Sequence, residues 1–180
     1  MQVTVTIDGE EEFKRKLQQA ADFLQNDIMD IIGIESINHF KQSFEDEGFT
    51  GASLEKWESR SSKRLTRNEQ KTLSDSGELV EAMEYRVNGN EMIITNDKPY
   101  AEIHNEGGEI TVTPKMRSFF IFKHYEALEL GNYDVSDMWQ AMFFSDVLKI
   151  PKRQFIGESE LLNTNIMEKI VRELDRIFKA

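Results

Sequence analysis

Two apolar stripes with helical spacing, one at each end of the chain, constrain this sequence more than any other feature. Near the start, Phe13, Leu17, Ala20, Leu24, Ile28 and Ile31 recur at threes and fours, and Phe40 and Phe44 continue the apolar content. That period predicts a long amphipathic helix reaching about Glu47, bent around Asn26–Asp27 or Gly33, where helix propensity is weak. At the other end, Leu162, Ile166, Ile170, Leu174 and Ile177/Phe178 predict a second amphipathic helix between Glu158 and Ala180. Each stripe needs a partner surface, and the segments between them carry β patterns.

Those segments read as follows. "QVTVTID" alternates Val3, Val5 and Ile7 with polar residues, the pattern of a half-buried strand. "LSDSGELVEAM" predicts a short helix through Leu79, Val80 and Met83, capped by Asp75 or Ser76. "EYRVNGNEMIITN" is a hairpin, because Asn-Gly favours a tight turn with positive φ. "KPYAEIHNEGG" predicts a helical turn closed by Gly107, "EITVT" a strand ended at Pro114, and "KIPKRQFIG" an extended segment. "MRSFFIFKHYEAL" fits either a strand passing into a helix or a buried helix. The expected fold is α+β, a mostly antiparallel sheet packed with a long N-terminal helix and a C-terminal helix. A length of 180 residues suits one domain spanning 1–180, with a helical, aromatic insertion at about 111–148.

Composition narrows the function classes. The absence of cysteine removes disulfides, thiolate metal sites and cysteine nucleophiles, and fits a reducing compartment. The acidic start does not look like a signal peptide, and no stretch approaches the ~20 apolar residues of a membrane span. The net charge of −11 opposes long-range attraction to nucleic acid and favours solubility. One local exception exists: Arg60, Lys63, Arg64, Arg67 and Lys71 face a single acid, Glu69, between positions 60 and 71. Without interleaved aromatics this is a poor nucleic-acid footprint; contact with an acidic partner, or with another copy, explains it at least as well.

The one cluster resembling a reactive centre is Glu102, His104 and Glu106. Two carboxylates and an imidazole can hold a metal or run acid–base chemistry, so a metal-dependent hydrolase stands as an alternative. On a helix, however, Glu102 and Glu106 share a face and His104 stands aside. His39 and His124 are far away in sequence, and no phosphate-cradling loop, H-E-x-x-H or G-x-S-x-G occurs. Architecture explains the cluster more simply: Tyr100 and Ile103 pack inward, His104 hydrogen-bonds a backbone group, and the glycines allow a sharp exit. The aromatics of 119–144 exceed what one small core needs, so part of 133–144, including Trp139 and Phe143, is expected to contact another copy or a partner.

The order of landmarks is more specific than any one of them. Trp57 is followed by Leu73, Asp75, Gly77 and Leu79, then by Tyr100, Ala101, Ile103, His104 and Gly107, then by Pro151, Arg153, Phe155 and Gly157 before the last helix. This resembles the phage virion morphogenesis family, the Mu-like tail completion proteins of long-tailed phages and prophages. Its pattern runs W, L-x-D-T-G-x-L, Y-A-x-I-H-x-x-G and P-x-R-x-F-L-G. The likeness spans about residues 13–178, with Ser76 in place of threonine, Ile156 in place of leucine, and a longer link at 111–148. The resemblance implies a non-enzymatic structural role, without cofactor or metal, at the tail end or head–tail neck. It implies a homo-oligomer, often a ring, that contacts other neck or tail proteins and ends in the virion after a cytoplasmic stage. A ring around a channel would pass DNA most freely with an acidic bore and the 60–71 stretch turned outward. Arg153 is expected to pair with a carboxylate such as Asp75, or to cap a helix end. A bacterial interaction module remains the other non-enzymatic reading.

Overall fold

The computed structural model describes residues 9–59, 72–74 and 76–179. The strand expected in "QVTVTID", the basic residues Arg60, Lys63, Arg64, Arg67 and Lys71, and Asp75 lie outside the described residues. The architecture is α+β. Helices α1 (Glu10–Asp22) and α2 (Ile28–Asp46) join through a π-helical turn, Phe23–Asp27. The irregularity therefore falls at the expected Asn26–Asp27, where the Asn26 side-chain amide donates to the Asp22 carbonyl at 2.9 Å.

Gly33 has a different role. The Tyr85 ring lies so close that a methyl group there would sit 2.4 Å from its Cδ2, so glycine lets the hairpin of residues 83–96 approach α2. Helix α2 ends at Glu47 in the left-handed conformation, φ 48°. The Glu47 carbonyl accepts from Trp57 N–H at 2.8 Å, and its carboxylate accepts from Thr72 N–H at 2.6 Å.

Among the described residues the β structure forms three separate two-stranded antiparallel ladders, not one sheet. Strands β1 (Gly48–Thr50) and β2 (Leu54–Lys56) make the first, and β3 (Met83–Asn88) and β4 (Glu91–Asn96) the second. In the second, Asn88 pairs with Glu91, so the two turn residues are Gly89 and Asn90, one position later than Asn-Gly suggests. Gly89 takes φ 61°, as the first central residue of a II′-type turn requires. Helix α3 is a single turn, Glu78–Glu81, shorter than expected, and Met83 already belongs to β3. Gly77 at φ 76° precedes α3, and Ser76 Oγ accepts from Glu78 N–H at 3.4 Å.

After α4 (Ala101–Glu106), residues 108–150 build an arm. Strands β5 (Gly108–Thr111) and β6 (Val147–Ile150) form its stalk, with Gly108 opposite Ile150 and Thr111 opposite Val147. The stalk carries α5 (Pro114–Glu129) and α6 (Tyr133–Phe144), which pack principally on each other. Pro114 begins α5 in the first helical turn as well as ending the strand, and Thr113 Oγ1 caps it by accepting from Met116 N–H at 3.2 Å. The segment "MRSFFIFKHYEAL" is thus wholly helical.

Helix α7 (Glu160–Lys179) closes the structure. Buried Ser159 caps it through Leu162 N–H at 3.1 Å and donates to the Thr50 carbonyl at 2.8 Å, tying α7 to the first ladder. Leu162, Ile166 and Ile170 of α7 join Phe23, Phe40, Phe44, Phe49, Trp57, Leu79 and Phe155 in one core. A partly buried ion pair, Lys169–Glu35, links α7 to α2. Along α1, by contrast, only Ala20 is buried; Phe13 and Leu17 remain exposed. The helical period was legible, but among the described α-helices only α7 touches α1 substantially, with Lys16 Nζ donating to the Phe178 carbonyl at 3.1 Å, so much of the α1 apolar face stays exposed.

Candidate functional site

The separated motifs converge at the foot of the arm. Phe155 and Phe44, each 1% exposed, are the hub. Their rings lie 5.1 Å apart, and the Trp57 ring meets Phe44 edge-on at 5.5 Å. Trp57 Nε1–H donates to the Gln154 carbonyl at 2.8 Å, so its one polar atom is satisfied by main chain.

Asn105, a residue the motif reading passed over, makes the strongest link. Its Oδ1 accepts from both Phe155 N–H and Ile156 N–H at 2.9 Å, while its Nδ2 donates to the Ile156 carbonyl at 3.1 Å. The crossing is extended by Arg153 N–H, which donates to the His104 carbonyl at 2.8 Å. Gly107, φ 72°, sits where a Cβ would be 2.7 Å from Lys152 N. Only glycine meets both conditions. At Gly157 the obstacle is the Gln154 side chain.

Leu79 and Ala101 are buried in the same core. The Leu79 carbonyl accepts from Asn96 Nδ2 at 2.7 Å. Tyr100 donates its hydroxyl to Glu78 at 2.8 Å. That bond is the main cause holding the Tyr100 pKa above its ordinary value and Glu78 below its own, with Lys98 also lowering Glu78.

Tyr100 and His104 share a face, their rings edge-to-face at 6.1 Å. Glu102 and Glu106 are exposed while His104 is half-buried, and no group of three or more His, Asp or Glu among the described residues could hold a metal ion. The expected ring-to-backbone bond at His104 is not made. Its Nδ1 is buried without a hydrogen-bond partner, and it is the residue's main chain that holds the neighbouring segment. The Arg153 guanidinium donates through Nε and a terminal nitrogen to the Glu58 carbonyl at 3.3 and 3.1 Å, and Asp75, the carboxylate expected as its partner, lies outside the described residues.

Burial, followed by the nearby Arg153 charge, holds the His104 pKa below its ordinary value of 6.5. The folded protein therefore binds this proton less readily than the unfolded chain. The stability set by the neutral ring is complete above the unfolded value and lost as pH falls through the lowered folded one. Thermal melts of wild type and His104→Asn from about pH 7 to about pH 5 should show a steeper acid loss in the wild type. Parallel curves would contradict it.

A groove of about 1050 Å³ separates the arm from the body. Leu79, Tyr100, His104, Pro151 and Arg153 line one side; Phe119, Phe120, Trp139 and Met142 line the other. Within the arm, the Trp139 ring stacks on Phe120 at 5.9 Å and meets Phe119 edge-on at 5.8 Å. Trp139 and Phe143 are only partly buried in the isolated chain. His124 Nδ1 lies 2.7 Å from Ser136 Oγ. Ser136 has no exposed surface, so this pair latches α5 to α6 and presents no nucleophile to solvent. Arg117 adds a second latch, donating to the Phe143 carbonyl and to Asp146.

Asn105, Trp57 and Arg153 tie the motif segments together through main-chain partners, and the arm exposes aromatic surface. The chain belongs to the phage virion morphogenesis family, whose sequence model matches residues 10–175. It is accordingly a phage structural protein that acts among other virion proteins. No curated protein and no solved structure matches the chain. No helix among the described residues is long and apolar enough to cross a membrane.

Proposed function

We propose that the chain is a non-enzymatic subunit that completes the tail or joins it to the head at the neck, working as a ring-type multimer. The match of the family across residues 10–175 carries this reading. Two physical features support it. Hydrogen bonds from Asn105 and the His104 carbonyl fasten 153–156 to α4, a tie between segments far apart in sequence that suits a load-bearing subunit. The arm exposes Phe122, Tyr125, Tyr133 and Phe144, with Trp139 and Phe143 partly exposed, an aromatic surface of the kind that anchors protein partners.

The net charge of −11 keeps the subunit soluble in the host cytoplasm before it enters the virion. Acidic side chains facing the bore of a ring let DNA pass without sticking. The arm contacts the neighbouring neck or tail protein. Replacing both Phe122 and Tyr125 by serine should leave stability within ~0.5 kcal/mol per substitution, as for other surface changes. Binding to tails purified from particles made without this chain should weaken by about thirtyfold or more per anchor lost. Unchanged binding by a folded double variant would remove the arm from the contact.

A further inference from the structure

The arm joins the body at a narrow place. The chain leaves through Gly107–Gly108 and returns through residues 150–152. Beyond that joint, neither helix of the arm packs substantially on an element of the body among the described residues. Inside the arm the connections are firm. His124–Ser136 and Arg117 latch α5 to α6, and Val112 N–H donates to the Asp146 carbonyl at 2.9 Å, which continues the stalk ladder. On the body side, 153–156 is fastened to α4. Two firm units therefore share one short link. Both link glycines have positive φ, 72° at Gly107 and 145° at Gly108. Gly107 is pressed against the Lys152 main chain, whereas an added Cβ at Gly108 would meet only the end of the Ile103 side chain, at 2.9 Å. Gly108 is thus the freer pivot, at the base of the stalk.

The groove gives the arm a direction in which to move. Its arm wall carries Phe119, Trp139 and Met142, with Phe119 49% exposed; its body wall carries Leu73 and Tyr100. Apolar surface on both walls stands in water while the groove is open, and bringing the walls together removes it from water. Units of one chain that share little interface move relative to each other by default. We propose that the arm is a hinged lid, which pivots at Gly108 as one body and shuts the groove so that its inner aromatics meet Leu73 and Tyr100. What covers each wall is the wall opposite. Phe122, Tyr125 and Tyr133 do not line the groove, so closing hides the inner aromatics and leaves the outer ones displayed. The hinge is a property of the single chain and stands apart from the multimer proposed above.

The chain has no cysteine, so Glu58→Cys with Asp137→Cys places one nitroxide label on each wall of the groove, both at exposed positions. Double electron–electron resonance reads the distance between them, with labelled protein diluted in unlabelled chain so that only distances within one chain count. Two distances should appear, a long one for the open groove and a short one for the closed. A pair inside the arm, Lys115→Cys with Gln140→Cys, should give a single narrow distance. Adding Met142→Glu to the groove pair sets a charge on the inner wall and should deplete the short population about fivefold or more. Adding Phe122→Ser, on the outer face, should leave that population unchanged. One narrow distance across the groove would overturn the hinge. Two distances that Met142→Glu does not redistribute would overturn closure of one apolar wall on the other. A pair inside the arm as broad as the groove pair would overturn movement of the arm as one body.

Discussion

Replacing Asn105 by leucine should destabilise the fold by about 2–6 kcal/mol, because two backbone N–H groups at a buried crossing lose their shared acceptor, each at about 1–3 kcal/mol. Leucine is close to asparagine in size, so the loss comes from hydrogen bonding and not from a cavity. Phe155 N–H and Ile156 N–H both point at Asn105 Oδ1 at 2.9 Å, and Phe155 itself is 1% exposed, so water does not readily replace the amide. Asn105→Asp keeps both acceptor bonds and loses the bond donated to the Ile156 carbonyl. It should fall between wild type and Asn105→Leu in urea denaturation followed by circular dichroism. A leucine variant as stable as wild type would show that the crossing does not depend on this clamp.

Phe155→Ala should cost about 3–5 kcal/mol, the range for truncating a fully buried aromatic. The site has little scope to collapse. Phe44 is held between Phe155 and Trp57, and Trp57 is fixed at both its backbone N–H and its indole N–H. A cavity would therefore persist beside the segment that Asn105 holds. Because the two residues share one element, the double variant Asn105→Leu/Phe155→Ala should lose less than the sum of the single losses. Strict additivity would mean that the aromatic hub and the amide clamp act independently.

The contrast between Asn105 and its neighbours shows what the sequence could disclose. Trp57, Phe155 and the helical turn of "YAEIH" were legible because residue type and local spacing carry them. Asn105 was not, since its role exists only once a segment fifty residues later arrives beside it. Gly107 was read as a sharp exit, and its φ of 72° agrees; the close approach of Lys152 was invisible. At His104 the face was right and the hydrogen bond was wrong, because position on a turn does not say which atoms the next segment meets. The strands were legible from alternation and turn residues, yet their division into three ladders depends on which edges meet in space. For α1 the period established an amphipathic helix. Periodicity says that an apolar face exists and is silent on what covers it; here α7 meets α1, yet Phe13 and Leu17 stay 57% and 46% exposed.

Electron microscopy of lysates from a phage lacking this chain asks directly whether it serves assembly. DNA-filled heads and separate, unjoined tails should accumulate, and wild-type protein added to that lysate should restore joined particles. His104→Asn should restore them as well at neutral pH, since its ring donates no bond to the crossing. Intact, infectious particles formed without the chain would contradict an assembly role at the neck or tail end.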